Sequence, residues 1–191
     1  IETRTDIEVI YTRKTDVFVP IKERTKIANE AGGKVFLSVH VNANKNKKAS
    51  GFETYLLRPG KTDAAIAVAE MENAVIKLEK NPDQYDKLSA EQLILATMAQ
   101  SAFMQQSETL ADLTQREFDK KLVGQNRGVK QAGFIVLIGA SMPNVLIELG
   151  FISNKNDARR LKQASYRQKA AEGIFDALMK YKTRHEKLLS P

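Results

Sequence analysis

Two periodicities alternate along this chain. Val35-Phe36-Leu37-Ser38-Val39-His40-Val41 is a nearly continuous apolar run, the pattern of a central strand covered on both faces. Gly51-Phe52-Glu53-Thr54-Tyr55-Leu56-Leu57 predicts a second strand, and Ile7 to Tyr11, rich in β-branched and aromatic residues, predicts one nearer the start. After Gly124 the runs Phe134–Ile138 and Val145–Ile147 predict two more. Between them Pro20 opens a helix through Ala31, where a first-turn proline forfeits no hydrogen bond, and Gly32-Gly33 ends it. The chain closes with an amphipathic helix carrying Tyr166, Ala170, Ile174, Ala177 and Tyr181 on one face, and Ser165 to Gln168 reads as its capping box. Strands alternating with helices predict an α/β fold: a single domain with a central, mostly parallel or mixed twisted sheet and helices on both faces.

Residues 62–122 break that alternation. Val68, Met71, Val75 and Leu78 recur at helical spacing, Asn81-Pro82-Asp83 interrupts them, and Glu91 to Leu122 reads as a further helix or helix pair. One domain spanning 1–191 with a helical insertion at 62–122 is the organisation expected.

Composition narrows the chemistry. The 191 residues include no Cys and only two His, which excludes disulfides, Cys-ligated zinc, iron–sulfur clusters and thiol nucleophiles. Imidazole chemistry is confined to His40 and His185, the latter in the polar tail Lys182 to Lys187. No apolar run is long enough for a membrane span. The net charge of +7 fits an anionic partner, nucleic acid or a wall polymer, and equally an ordinary soluble surface. No helix-turn-helix signature, aromatic stacking platform or Lys/Arg stripe accompanies it, so nucleic-acid binding is not expected.

His40 and Glu148 are the candidate reactive groups, each placed where an apolar run gives way to polar sequence. Ligands gather beyond the carboxyl ends of strands in open α/β sheets. A carboxylate at the end of a core strand needs a cation, a metal or an adjusted pKa if it is buried, whereas at a water-facing edge it needs none. A His and a Glu at two strand ends are compatible with metal-assisted hydrolysis and with coincidence alike.

The order of motifs is more specific. Thr12-Arg13-Lys14-Thr15-Asp16, Arg24 with Ala28-Asn29, Ser38-Val39-His40-Val41-Asn42-Ala43, Gly51-Phe52-Glu53-Thr54-Tyr55, Gln106-Ser107 with Leu110-Ala111, Arg127 to Phe134, and Met142 to Asn154 follow in succession. This series, over nearly the whole chain, resembles the zinc-dependent N-acetylmuramoyl-L-alanine amidases, the amidase-3 family of cell-wall hydrolases. The resemblance implies cleavage of the amide between N-acetylmuramic acid and L-alanine in peptidoglycan, for wall remodelling or daughter-cell separation. It makes His40 a zinc ligand and Glu148 the catalytic carboxylate, with Asn42 and Arg127 as candidate substrate-binding residues. Arg127 would grip a substrate carboxylate or, as an ion pair, fix its own loop.

The family's first strand, with an Asp-Pro-Gly-His-Gly-type motif and a following Glu, has no counterpart here, so the remaining zinc ligands are expected upstream of Ile1. A truncated chain of this kind is expected to bind zinc poorly and to be inactive alone. Cell-division amidases carry a comparable helical insertion, and the resemblance implies that it is regulatory. Glu72, seven residues before Glu79, would plug the zinc until an activator protein displaces the insertion; the alternative is that both are ordinary solvated carboxylates. The same resemblance implies a bacterial envelope location, periplasmic or secreted. A catalytically dead relative that binds peptidoglycan or a division partner is the competing reading.

Overall fold

The computed structural model describes residues 1–60, 62–85 and 90–189. By backbone contacts the chain falls into two compact units.

The first unit comprises Ile1–Phe36, Leu57–Met104 and Gln131–Asn144. It contains helix α1 (Ile21–Glu30), helix α2 (Asp63–Asn73) followed by 3-10 turns at Ala74–Leu78 and Pro82–Gln84, and helix α3 (Ala90–Ala99). Pro20 gives α1 its pre-set first turn but offers no side-chain cap. The missing acceptor comes from Glu79, whose Oε1 receives the Ile21 N–H at 2.7 Å. Glu79 is therefore buried and not a solvated helix carboxylate. The apolar seam expected from Val68 to Leu78 does not form. Only its first member is buried, alongside Ala65 and Ala69, because the α-helix gives way to a 3-10 turn after Asn73 and the phase is lost.

Two predicted strands of this unit are absent. Ile7 to Tyr11 is irregular, with Ile10 and Tyr11 exposed. The run Phe134–Ile138 is a buried turn centred on a 3-10 segment, Ile135–Leu137. Side chains from α1, α2 and the turn after α3 satisfy its backbone. Asn73 brackets it by donating to Gly133 O at 2.9 Å and accepting from Ile135 N–H at 3.0 Å. Gln100 Nε2 donates to Leu137 O at 2.6 Å, and Asn29 Nδ2 to Gly139 O at 2.8 Å. An apolar run thus became core without a ladder, since buried backbone groups need partners but not strand partners.

The second unit comprises Leu37–Leu56, Gln105–Lys130 and the chain from Val145 onward. It holds nearly all of one four-stranded sheet, β1 (Phe36–Asn42), β2 (Phe52–Leu57), β3 (Asn126–Ala132) and β4 (Asn144–Phe151), ordered β1-β4-β2-β3. Phe36 N–H donates to Pro143 O at one end of β1 and Ile152 N–H to Asn42 O at the other, so β1 and β4 run parallel. Phe52 N–H to Gln125 O and Arg58 N–H to Ala132 O make β2 and β3 parallel as well. β2 and β4 are antiparallel, with Glu53 opposite Glu148 and Tyr55 opposite Leu146. The sheet is mixed, as expected. The apolar run at Val35–Val41 is nonetheless an edge strand with Val39 and Val41 exposed; β4 and β2 occupy the centre and are almost wholly buried.

Three helices complete this unit: α4 (Met104–Lys121), α5 (Lys155–Lys162) and α6 (Ala164–Leu189). Helix α4 covers the sheet face bearing Phe52 and Thr54, through an edge-on Phe52–Phe118 contact at 5.6 Å and a 2.7 Å hydrogen bond from Gln115 Nε2 to Thr54 Oγ1. Helix α6 buries Tyr166, Ala170, Ala177 and Tyr181, the predicted face. Its first turn begins at Ala164, so Ser165 lies inside the helix and is not its cap. Asn154 caps α5, and the buried Asp157 carboxylate ties Gly51 N–H (2.8 Å) and Phe151 N–H (3.1 Å), joining the start of β2 to the end of β4.

Candidate metal centre

Strand alternation and register together build the site. In β1 the period of two puts Ser38, His40 and Asn42 on one face. Asn42 Nδ2 donates to Glu53 Oε1 at 2.8 Å, so that face is the one carrying Glu53, Tyr55 and, directly across the β2/β4 pair, Glu148. It is the face opposite to the one that α4 covers. Glu148 lies within β4 and is 0% exposed, which removes the water-facing alternative: a central strand has no wet edge.

Glu53 is 1% exposed and gathers four donors. Tyr55 Oη donates to Oε1 at 2.7 Å, alongside Asn42, while Arg127 Nε (2.7 Å) and Lys130 Nζ both reach Oε2. Residues 127 and 130, three apart, would ordinarily face opposite sides of a strand. Gly128 between them adopts φ 75°, a left-handed conformation open to glycine at little cost, and this breaks the alternation so that both cations meet one carboxylate. The Arg127 guanidinium also lies 5.2 Å from the centroid of the Phe151 ring. Burial pushes the Glu53 carboxyl up, but hydrogen bonds from Lys130, Arg127 and Tyr55 outweigh it and hold the group below the ordinary carboxylate value. Burial and the adjacent Glu53 charge push the Tyr55 phenol well above its usual range, so it stays a donor.

His40 and Glu148, both in the second unit, each offer a ligand atom, within 4.8 Å of one another. An imidazole nitrogen and a carboxylate oxygen, with no sulfur, suit Zn²⁺, so the donors present fit that ion. Glu72 on α2 and His40 are half-buried. Glu79, its companion in the sequence reading, is engaged on α1 as described. Arg127 and Asn42 lie together on Glu53, Arg127 as an ion pair, whereas His185 is far along α6, stacked on Tyr181 at 5.9 Å. Glu53, Tyr55 and Lys130 escaped the sequence reading as site residues. The available signal was a carboxylate inside the apolar run Phe52–Leu57 followed downstream by Arg-Gly-Val-Lys, since such a charge needs a partner.

An α/β sheet presenting an imidazole and buried carboxylates on one face is a scaffold suited to metal-assisted hydrolysis. The family of N-acetylmuramoyl-L-alanine amidases (Amidase_3) matches residues 2–180, and the chain belongs to it. It is 30% identical over 177 residues to the N-acetylmuramoyl-L-alanine amidase AmiA of Escherichia coli, covering 92% of this chain and 61% of that protein. To LytC of Bacillus subtilis, also an N-acetylmuramoyl-L-alanine amidase, it is 33% identical over 172 residues, covering 90% of this chain and 26% of LytC. The chain thus spans about three-fifths of AmiA and a quarter of LytC. Its fold matches the crystal structure of an N-acetylmuramoyl-L-alanine amidase from Clostridium difficile 630 with a TM-score of 0.66 at 24% identity, over 94% of this chain and 74% of the other.

Proposed function

We propose that this chain carries the chemistry of a zinc-dependent N-acetylmuramoyl-L-alanine amidase, hydrolysing the amide between N-acetylmuramic acid and L-alanine in peptidoglycan. The observation that carries the proposal is His40 and Glu148 within ligand distance of each other in a member of this family. His40 would hold the zinc, which when bound supplies a water of near-neutral pKa and polarises the scissile carbonyl. Glu148 takes the proton of the attacking water and returns it to the departing amide nitrogen; its full burial keeps bulk water from competing for that proton.

Glu72 competes for the same place. It comes from the segment 62–122, which we propose is a regulatory insertion within a catalytic domain spanning 1–191. Occupying the metal, Glu72 would block substrate until a partner protein moved α2. Daughter-cell separation in the bacterial envelope is the setting we propose for such a restraint. Among the described residues no helix is long and apolar enough to cross a membrane.

The test is direct. The full-length protein, loaded with zinc and incubated with purified peptidoglycan, should release stem peptides bearing a new L-alanine amino terminus, whereas residues 1–191 alone should bind zinc poorly and release none. Glu148→Gln should lower the rate by about 10²–10⁴-fold without altering the fold, and Glu72→Ala should raise the basal rate. No release from the zinc-loaded full-length protein sinks the hydrolase reading, and an unchanged basal rate in its Glu72→Ala variant sinks the plug.

A further inference from the structure

We propose that Arg127 and Lys130, braced on the buried carboxylate of Glu53, form a receptor for a carboxylate group of the substrate's stem peptide. The proposal rests on the peptidoglycan reading above and names the part of the substrate that this face grips.

Three observations carry it. First, the cluster is over-supplied with cation. Arg127 and Lys130 both reach the one oxygen Oε2 of Glu53, although a single arginine would suffice to neutralise that carboxylate. Second, donors remain unspent. Arg127 uses Nε on Glu53, and among the described residues its terminal guanidinium nitrogens make no hydrogen bond; Lys130 donates only to Glu53. Both side chains stay reachable, at 25% and 27% exposed, while the carboxylate beneath them is 1% exposed. Third, the guanidinium is held in one orientation. Phe151 lies against its face and Glu53 fixes its Nε edge, so the remaining edge is preorganised for a planar anion taken in its own plane.

Position makes the receptor relevant to catalysis. Glu53 stands directly across the β2/β4 pair from Glu148, a separation of about 5 Å between Cβ atoms. A peptide carboxylate seated on Arg127 and Lys130 would thus be anchored beside the reacting amide, and a fixed contact next to the reacting group is how orientation lowers a barrier. A planar fork can offer two parallel N–H donors to the two oxygens of a carboxylate.

The experiment measures binding without turnover, in zinc-loaded full-length Glu148→Gln protein, by calorimetry with a soluble muropeptide in two forms: stem carboxylates free, and the same carboxylates converted to carboxamides. The free acid should bind roughly tenfold more tightly. Arg127→Gln should abolish that preference and Lys130→Gln should reduce it, each weakening the free acid more than the carboxamide. Arg127→Lys, which keeps the charge but loses the fork, should retain only part of the preference, and serves also if Arg127→Gln fails to fold. Equal binding of acid and carboxamide by the parent protein, or equal weakening of both by Arg127→Gln, overturns the receptor. Displacement of the free acid by inorganic phosphate more readily than by acetate overturns the choice of a carboxylate. Because no cleavage is read, these outcomes stand apart from the hydrolase test: peptide release without acid preference removes the receptor alone, and acid preference without release removes the hydrolase alone.

Discussion

Glu53 and Glu117 are built from the same parts and do different work. Each is a buried carboxylate holding two cations. Glu117, on α4, is 4% exposed and takes Lys120 Nζ at 2.7 Å and Lys180 Nζ at 2.6 Å, both on Oε1. Its lysines are 60% and 50% exposed: they reach in from water along their aliphatic stems and keep most of their hydration. Around Glu53 the cations are half-withdrawn from water, both carboxylate oxygens are used, and four side chains from three strands converge. At each site burial pushes the carboxyl up and hydrogen bonds to the cations prevail, leaving it below the ordinary value. The contrast teaches that an ion cluster's composition says little about its role. Solvent access decides how much the charges are worth, and the face on which they sit decides what they can touch: α4 and α6 at Glu117, the His40 and Glu148 face at Glu53.

The sharpest way to break this contrast is to neutralise each carboxylate in turn. Glu53→Gln should lower unfolding free energy by about 3–5 kcal/mol, because Arg127 and Lys130 would be left half-buried without their anion. Glu117→Gln should cost roughly 1 kcal/mol or less, since its lysines swing back into water. Equal shifts in denaturant midpoint at unchanged slope would erase the distinction.

Gly173→Ala tests the scaffold side alone. A methyl there would meet Phe118 Cδ1 at 2.6 Å and Cε1 at 2.9 Å, forcing α6 off α4 at about 1–3 kcal/mol. Its thermal midpoint should fall while the acid-over-carboxamide preference set by Arg127 stays intact.

Acid titration gives a smaller effect with a fixed sign. Both carboxyls are depressed in the folded protein, so the stability they contribute is present above the unfolded value of about 4.3 and is lost as pH falls through the lower folded value. Removing Glu53 should flatten this acid limb more than removing Glu117, measured as unfolding free energy between pH 6 and the acid end of the folded range. The smallest effect is ionic: salt should weaken the contribution of Lys180 and leave that of Arg127 nearly untouched, because screening acts on exposed charges. A common salt dependence would contradict the difference in burial.

Much of the scaffold was legible along the chain. β2 and β4 follow the predicted runs, α1 begins at the predicted proline, and α6 buries the predicted face. These elements have strong local periodicity, and periodicity is a local property. β3 was missed because Asn126–Ala132 is polar and carries the Gly128 kink, so no alternation shows. The run at 134–138 was misread because an apolar stretch records burial and not hydrogen-bond partners, which here are Asn73, Gln100 and Asn29. The run at 35–41 promised a central strand, yet β1 lies at the edge, since strand order is a non-local choice.

The same division holds at the site. From the chain alone came the short stock of reactive groups, two His and no Cys, the choice of His40 and Glu148, and the family to which their motifs belong. Only the tertiary structure set Glu53 opposite Glu148 and drew Asn42, Arg127 and Lys130 onto it. Antiparallel register and the break at Gly128 determine which side chains share a face, and both depend on pairing between segments up to about a hundred residues apart, which no local pattern encodes.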